Sequence, residues 1–146
     1  MNIYDDASGI DQLRSLIAGG ERPGIGQSLH FTLTQVAEGR VEFESVPGDF
    51  ANNPIGTIHG GYAATLLDSA CGCAVHSRLA PGQGYTTLEL KVAYHRAMTA
   101  ATGRVRAIGE VLSMGRRAAF AEAKLVDDDD RLLASATSTL LVFERR

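Results

Sequence analysis

With 146 residues the chain is long enough for one domain of ordinary size and too short for two. Apolar residues make up 45% and charged residues 21%, a globular balance, and a net charge of −3 speaks against non-specific nucleic-acid binding. No run reaches the roughly 18–20 apolar residues of a membrane span, the acidic opening Met1-Asn2-Ile3-Tyr4-Asp5-Asp6 is unlike a signal peptide, and Cys71 and Cys73 are too close in sequence to bridge well; together these predict a cytoplasmic protein with no membrane partner.

In chain order, Ile10, Leu13, Leu16 and Ile17 predict a short helix ended by Gly19-Gly20 and Pro23-Gly24, so residues 1–24 read as a helical extension of a single domain spanning 1–146. Phe31 and Leu33 alternate with threonines, and Val41, Phe43 and Ser45 alternate with glutamates, a hairpin about Ala37-Glu38-Gly39-Arg40. The segment Pro47 to Pro54 is dense in turn formers and reads as a loop. From about His59 to Leu79 the period is helical, with Tyr62, Ala63, Leu66, Leu67, Ala70 and Ala74 on one stripe, and Pro81-Gly82 closes this central helix. The period then becomes two, placing Leu88, Leu90, Val92 and Tyr94 on one face and Thr87, Glu89, Lys91 and Ala93 on the other. Three more strand-like runs follow at about 101–112, 115–127 and 131–143, with Asp127 to Asp130 as a solvated turn.

This order predicts an α+β layer architecture of the hot-dog kind: a long central helix wrapped by an antiparallel sheet of about six strands. A single long helix covers one sheet face, which leaves a surface for a second subunit.

Between the strands lies the segment that carries chemistry. Gly60-Gly61 at a helix start leaves backbone N–H groups bare at the positive end of the helix dipole, a place suited to an oxyanion. Asp68 follows two turns later, about 240° around the wheel from Tyr62, beside the small residues Gly61, Ala64 and Gly72, which suggests close approach by another surface. Charge is asymmetric as well: residues 1–90 carry four basic and ten acidic side chains, residues 91–146 ten and seven, so an anionic ligand is expected near the C-terminal half. Arg96, Arg104, Arg106, Arg116 and Arg117 are the candidates, and Arg116-Arg117, read as lying at a strand start, would point to opposite faces. His30, His76 and His95 read as surface or strand residues, and no His/Cys/acid set has metal-ligand spacing, so neither metal nor cofactor is expected.

The window Asn53, Gly56, His59, Gly60, Gly61, Leu66, Asp68 resembles the PaaI-type (phenylacetate-pathway) hot-dog-fold acyl-CoA thioesterases, whose motif runs Asn…Gly-x-x-His-Gly-Gly-x-x-x-x-Leu-x-Asp. Thr87 to Arg96 is similar to the strand that follows the helix in that family, and Gly115 to Ala123 to its penultimate strand, so the resemblance covers about residues 25–143. It implies Asp68 as nucleophile or general base, the Gly60 N–H as oxyanion donor, Asn53 as the loop amide orienting water or substrate, and Thr87 as the hydroxyl that positions water. His59 belongs to the motif either as a base or as a residue fixing the loop. Gly61 and Tyr62 would contact the substrate, and Arg96, Arg116 and Arg117 the coenzyme A phosphates. The implied partner is an acyl-CoA substrate, the implied assembly a homodimer or homotetramer with sites at the dimer interface. The rival is a non-catalytic acyl-CoA-binding protein, a sensor or carrier.

Overall fold

The computed structural model describes residues 4–146; Met1–Ile3, which open the N-terminal extension, lie outside the described residues. Helix α1 (Gly9–Gly19) is capped by the Ser8 hydroxyl, which accepts from Asp11 N–H, and ends at Gly20 in the left-handed region. Its Leu13 is fully buried in the main core, so this extension packs into the domain. A one-turn helix α2 (Ile25–Ser28), not anticipated from the pattern, leads into the expected hairpin of β1 (Phe31–Ala37) and β2 (Arg40–Ser45). The turn-rich loop contains a single 3₁₀ turn at Asp49–Ala51. The central helix α3 is Gly60–His76. It stops before Pro81-Gly82 because Ser77 caps it, donating its N–H to Cys73 O and its hydroxyl to Ala74 O.

Four strands follow: β3 (Gln83–Tyr94), β4 (Val105–Met114), β5 (Ala118–Asp127) and β6 (Leu132–Glu144). They complete one six-stranded sheet in the order β1-β2-β4-β5-β6-β3, antiparallel throughout. Only β4 to β6 form a meander; β3 crosses to the far edge, beside β6, and so stands at a free end of the sheet. The stripe of α3 lies against the sheet, with Leu66, Leu67, Ala70 and Ala74 at 0% exposure. Each such leucine contributes about 1.5–3 kcal/mol of hydrophobic stabilisation.

Strict alternation fails in β3. Thr87 faces Leu140 and Glu89 faces Thr139, so Leu88 is an extra residue, a β-bulge. Leu140 points into the core, and Thr87 with it. Thr139 donates its hydroxyl to Glu89 on the other face. Thr87 therefore shares the inner face with Leu90, where the period of two had placed it outside, and Leu88 is left 59% exposed.

Two other expectations change. His76 is a core residue, 2% exposed, with Nε2–H donating to Gln12 Oε1 at 2.7 Å and its ring stacked on Tyr4 and edge-on to Tyr85. Burial pushes its pKa down to about 4, with the charge of Arg145 adding to the effect. The aspartate turn is more than a solvated loop: Asp127 is buried and accepts from Asp129 N–H, Arg131 N–H and Arg131 Nε, while Asp128 and Asp130 bind Arg104 and Arg106. Among the described residues no helix is long and apolar enough to cross a membrane.

Candidate active site

The first turn of α3 is tied down by side chains from three directions. His59, the N-cap, accepts Gly61 N–H on Nδ1 at 2.7 Å, which leaves the ring proton of the neutral imidazole on Nε2. Thr65 donates its hydroxyl to Gly61 O at 2.8 Å, and Tyr94, at the end of β3, donates its hydroxyl to Gly60 O at 2.7 Å. Tyr62 N–H reaches His59 O. Among the described residues the Gly60 N–H meets no acceptor, so this turn presents a bare donor at the positive end of the helix.

That donor opens on a cleft of about 540 Å³. Ile58, Ala63, Met98, Leu133 and Ala134, all buried, are its apolar lining, and Tyr94, His59, His95 and Arg96 stand around it. His95 binds Ser135 Oγ at 2.8 Å. The structure thus brings His59, Gly60, Gly61 and Arg96 together, and adds Tyr94, His95 and Met98, which the sequence reading did not assign to a site. The signal for Tyr94 was present in its alternation with Leu90 and Val92; what was missing was the knowledge that β3 ends over the start of α3.

Asp68 lies at a second place. Its Oδ1 accepts the Thr87 hydroxyl at 2.9 Å, and both residues are half-buried. Gly60 and Asp68 are eight residues apart on one helix, about 12 Å along its axis, too far for both to touch one carbonyl group. The small residue beside Asp68 has a local reason: a Cβ on Gly72 would lie 2.6 Å from Tyr85 Oη, so the surface approaching there is the chain's own β3.

Two residues are occupied elsewhere. Tyr62 is 3% exposed and donates its hydroxyl to Ser45, a core position away from the cleft, whose wall is Ala63 instead. The Asn53 carbonyl accepts Ile55 and Thr57 N–H and its amide donates to Thr57 Oγ1, so the side chain builds its own loop.

Arg116 and Arg117 sit exposed in the turn between β4 and β5, where strand alternation does not apply; Arg117 O accepts from Val142 N–H. Through the ladder Ala118–Leu141–Thr86 this turn lies at the Thr87 end of β3, opposite the Arg96 end. Arg104 and Arg106 are spent on Glu44, Asp128, Glu42 and Asp130. Among the described residues Arg96, Arg116 and Arg117 form no ion pair, which leaves them, like Arg22, Arg78, Lys91, Lys124 and Arg146, able to meet an anion.

The family model named Thioesterase superfamily matches residues 55–134, from the loop before α3 into β6. The chain belongs to the thioesterase superfamily. A solved putative thioesterase from Ralstonia eutropha JMP134, described as a phenylacetic acid degradation-related protein, is 26% identical with a TM-score of 0.79, covering 88% of this chain and 98% of that one. A hypothetical thioesterase protein from Streptococcus pneumoniae TIGR4, solved with coenzyme A, is 25% identical with a TM-score of 0.72, covering 80% and 90%. Among curated proteins, the 1,4-dihydroxy-2-naphthoyl-CoA hydrolase of Listeria monocytogenes serotype 1/2a (strain 10403S) is 24% identical over 84% of this chain and 98% of its own length. The PaaI-type resemblance and the hot-dog fold both stand, and the superfamily member is a thioester hydrolase; family and relatives support the expectation of an acyl-CoA thioesterase.

Proposed function

We propose that this thioesterase hydrolyses an acyl- or aryl-CoA at a site shared by two copies of the chain. The observation that carries the reading is the bare Gly60 N–H at the mouth of an apolar cleft. The thioester carbonyl accepts from that N–H, the acyl group lies along the cleft, and the coenzyme leaves toward solvent past the unpaired arginines.

Asp68 acts on water. Thr87 holds Oδ1 by donation, which leaves Oδ2 to take a proton from a water molecule. The water oxygen bonds to the carbonyl carbon as its proton passes to Asp68. The negative charge that builds on the carbonyl oxygen is met by the Gly60 N–H and the helix dipole. Collapse breaks the C–S bond, and the proton returns from Asp68 to the departing thiolate, giving acid and free coenzyme A. His59 holds the oxyanion turn through Nδ1 and offers Nε2–H to the cleft.

The 12 Å between Asp68 and Gly60 supports two copies. Strand β3 is a free edge of twelve residues, with Leu88 and Tyr94 59% and 57% exposed. Pairing it antiparallel with the same strand of a second copy, about a two-fold axis at Lys91 and with the bulged Leu88 skipped, sets Thr87 of one opposite Tyr94 of the other, both on the inner face. Asp68 then faces the second copy's Gly60, and Arg116-Arg117 of the first joins Arg96 of the second around one anion.

The test is complementation. Gly60→Val and Asp68→Asn chains, each inactive alone, are mixed, unfolded and reassembled. Random pairing gives heterodimers with one intact site, about a quarter of wild-type thiol release. No recovery would confine both groups to one chain and sink the shared site. Wild type that binds acyl-CoA without releasing thiol would establish the sensor or carrier instead.

A further inference from the structure

We propose that Tyr94 is a positioning residue for the oxyanion donor, holding the Gly60-Gly61 turn through its hydroxyl; this rests on the thioesterase reading above. Two consecutive glycines are the most flexible backbone available, and glycine loses the most conformational freedom when fixed. An oxyanion donor, by contrast, works by standing still before charge appears. The turn therefore needs restraint from outside the helix.

The His59 ring and the Thr65 hydroxyl restrain it from within the local chain; among the described residues Tyr94 alone reaches it from the sheet, 34 residues later. Its hydroxyl donates to Gly60 O at 2.7 Å, and its ring lies over the glycine so closely that a Cβ there would stand 3.0 Å from Oη and 3.1 Å from Cζ. Opposite it on β6 is Ala134, 1% exposed, whose small side chain shares the inner face. A side chain at 60 would thus press on the tyrosine as well as on a ligand. Tyr94 is also 57% exposed, an unusual position for a ring whose hydroxyl is committed to a main-chain carbonyl, and it forms one wall of the cleft. One side chain therefore joins the sheet edge, the cleft wall and the turn that presents the donor.

The decisive variant is Tyr94→Phe, which keeps the ring and deletes the tie. Two measurements are made on the assembled protein, after its elution volume is shown to match wild type. The first is amide hydrogen exchange at Gly61, whose N–H is held by His59; it should rise about threefold or more once the turn loosens. The second is steady-state hydrolysis of the best acyl-CoA: kcat should fall about 3- to 10-fold with KM within about twofold, the weight of one hydrogen bond expressed in the transition state. Unchanged Gly61 exchange overturns the proposal, and so does a raised KM with unchanged kcat, which would make the hydroxyl a substrate contact. If wild type hydrolyses no acyl-CoA, the thioesterase reading falls on that result, while Gly61 exchange still decides whether Tyr94 holds the turn.

Discussion

The Thr87 hydroxyl donates to Asp68 Oδ1 across 2.9 Å, joining the edge strand β3 to the middle of α3. The contact exists because the bulge at Leu88 turns Thr87 inward, onto the face of Leu90. It restrains a carboxylate that otherwise has a free rotor, and it commits one oxygen while leaving the other. Asp68→Asn should lower kcat by on the order of 10²–10⁴-fold with the fold intact. Thr87→Val should cost about tenfold, and the double variant little more than Asp68→Asn alone, because the threonine acts through the aspartate. Thiol release across the four proteins checks this; additive losses would mean that Thr87 contacts the reacting water independently. Single turnover in ¹⁸O-water should leave Asp68 unlabelled if it acts as a base, and label in its carboxylate would make it the nucleophile.

Gly60→Ala places a methyl group against the Tyr94 ring, at 3.0 Å from its hydroxyl oxygen. The ring has to yield by only a few tenths of an ångström, so the melting temperature should shift by only a few degrees, on the order expected of about 1 kcal/mol. Turnover should fall much further, about tenfold or more, because the donor is displaced. Equal losses of stability and activity on the same samples would remove the special role of this turn.

Arg96 at one end of β3, and Arg116 and Arg117 at the other, are exposed and without carboxylate partners among the described residues. Alanine at each should raise KM for acyl-CoA by about 3- to 10-fold and leave a short acyl thioester without the nucleotide nearly unaffected. Salt should weaken wild-type binding in the same sense, with a screening length of about 8 Å at physiological ionic strength. An equal rise for both substrates would mean that the arginine supports the fold.

His76 supplies a pH signature. Burial holds its pKa at about 4 against the ordinary 6.5. The unfolded chain therefore takes up this proton first, so stability is complete above about pH 6.5 and is lost as the pH falls toward 4, by on the order of 2–3 kcal/mol. His76→Gln should flatten that part of the curve in urea melts at pH 7 and pH 4.5. The same slope in the variant would assign the loss to other groups.

Cys71 is fully buried, and burial, reinforced by the charge of Asp68, pushes its thiol up to about 12. A disulfide reagent needs the thiolate, so labelling of native protein at Cys71 should be slower than in urea by several orders of magnitude. Rapid native labelling would show that α3 opens readily.

Periodicity in the sequence was sufficient for the elements that bury one continuous face: α1 from Ile10 to Ile17, the Phe31–Ser45 hairpin, and the stripe of α3. Burial of a repeating apolar face is a local pattern, and a local pattern survives without knowledge of what covers it. The motif from Asn53 to Asp68 was equally legible, since a glycine pair before a helix and a lone carboxylate two turns on are adjacent in the chain. Tertiary structure alone decided which strand neighbours which, because β3 leaves its place in sequence to stand beside β6. It decided that Thr87 looks inward, since a single inserted residue reverses every face before it. It also placed His76 in the core, spent Arg104 and Arg106 on the Asp128 and Asp130 turn, and laid Tyr94 over Gly60. Each of these depends on residues far apart in the chain arriving at one point, where distance and burial, not spacing, set what a side chain does.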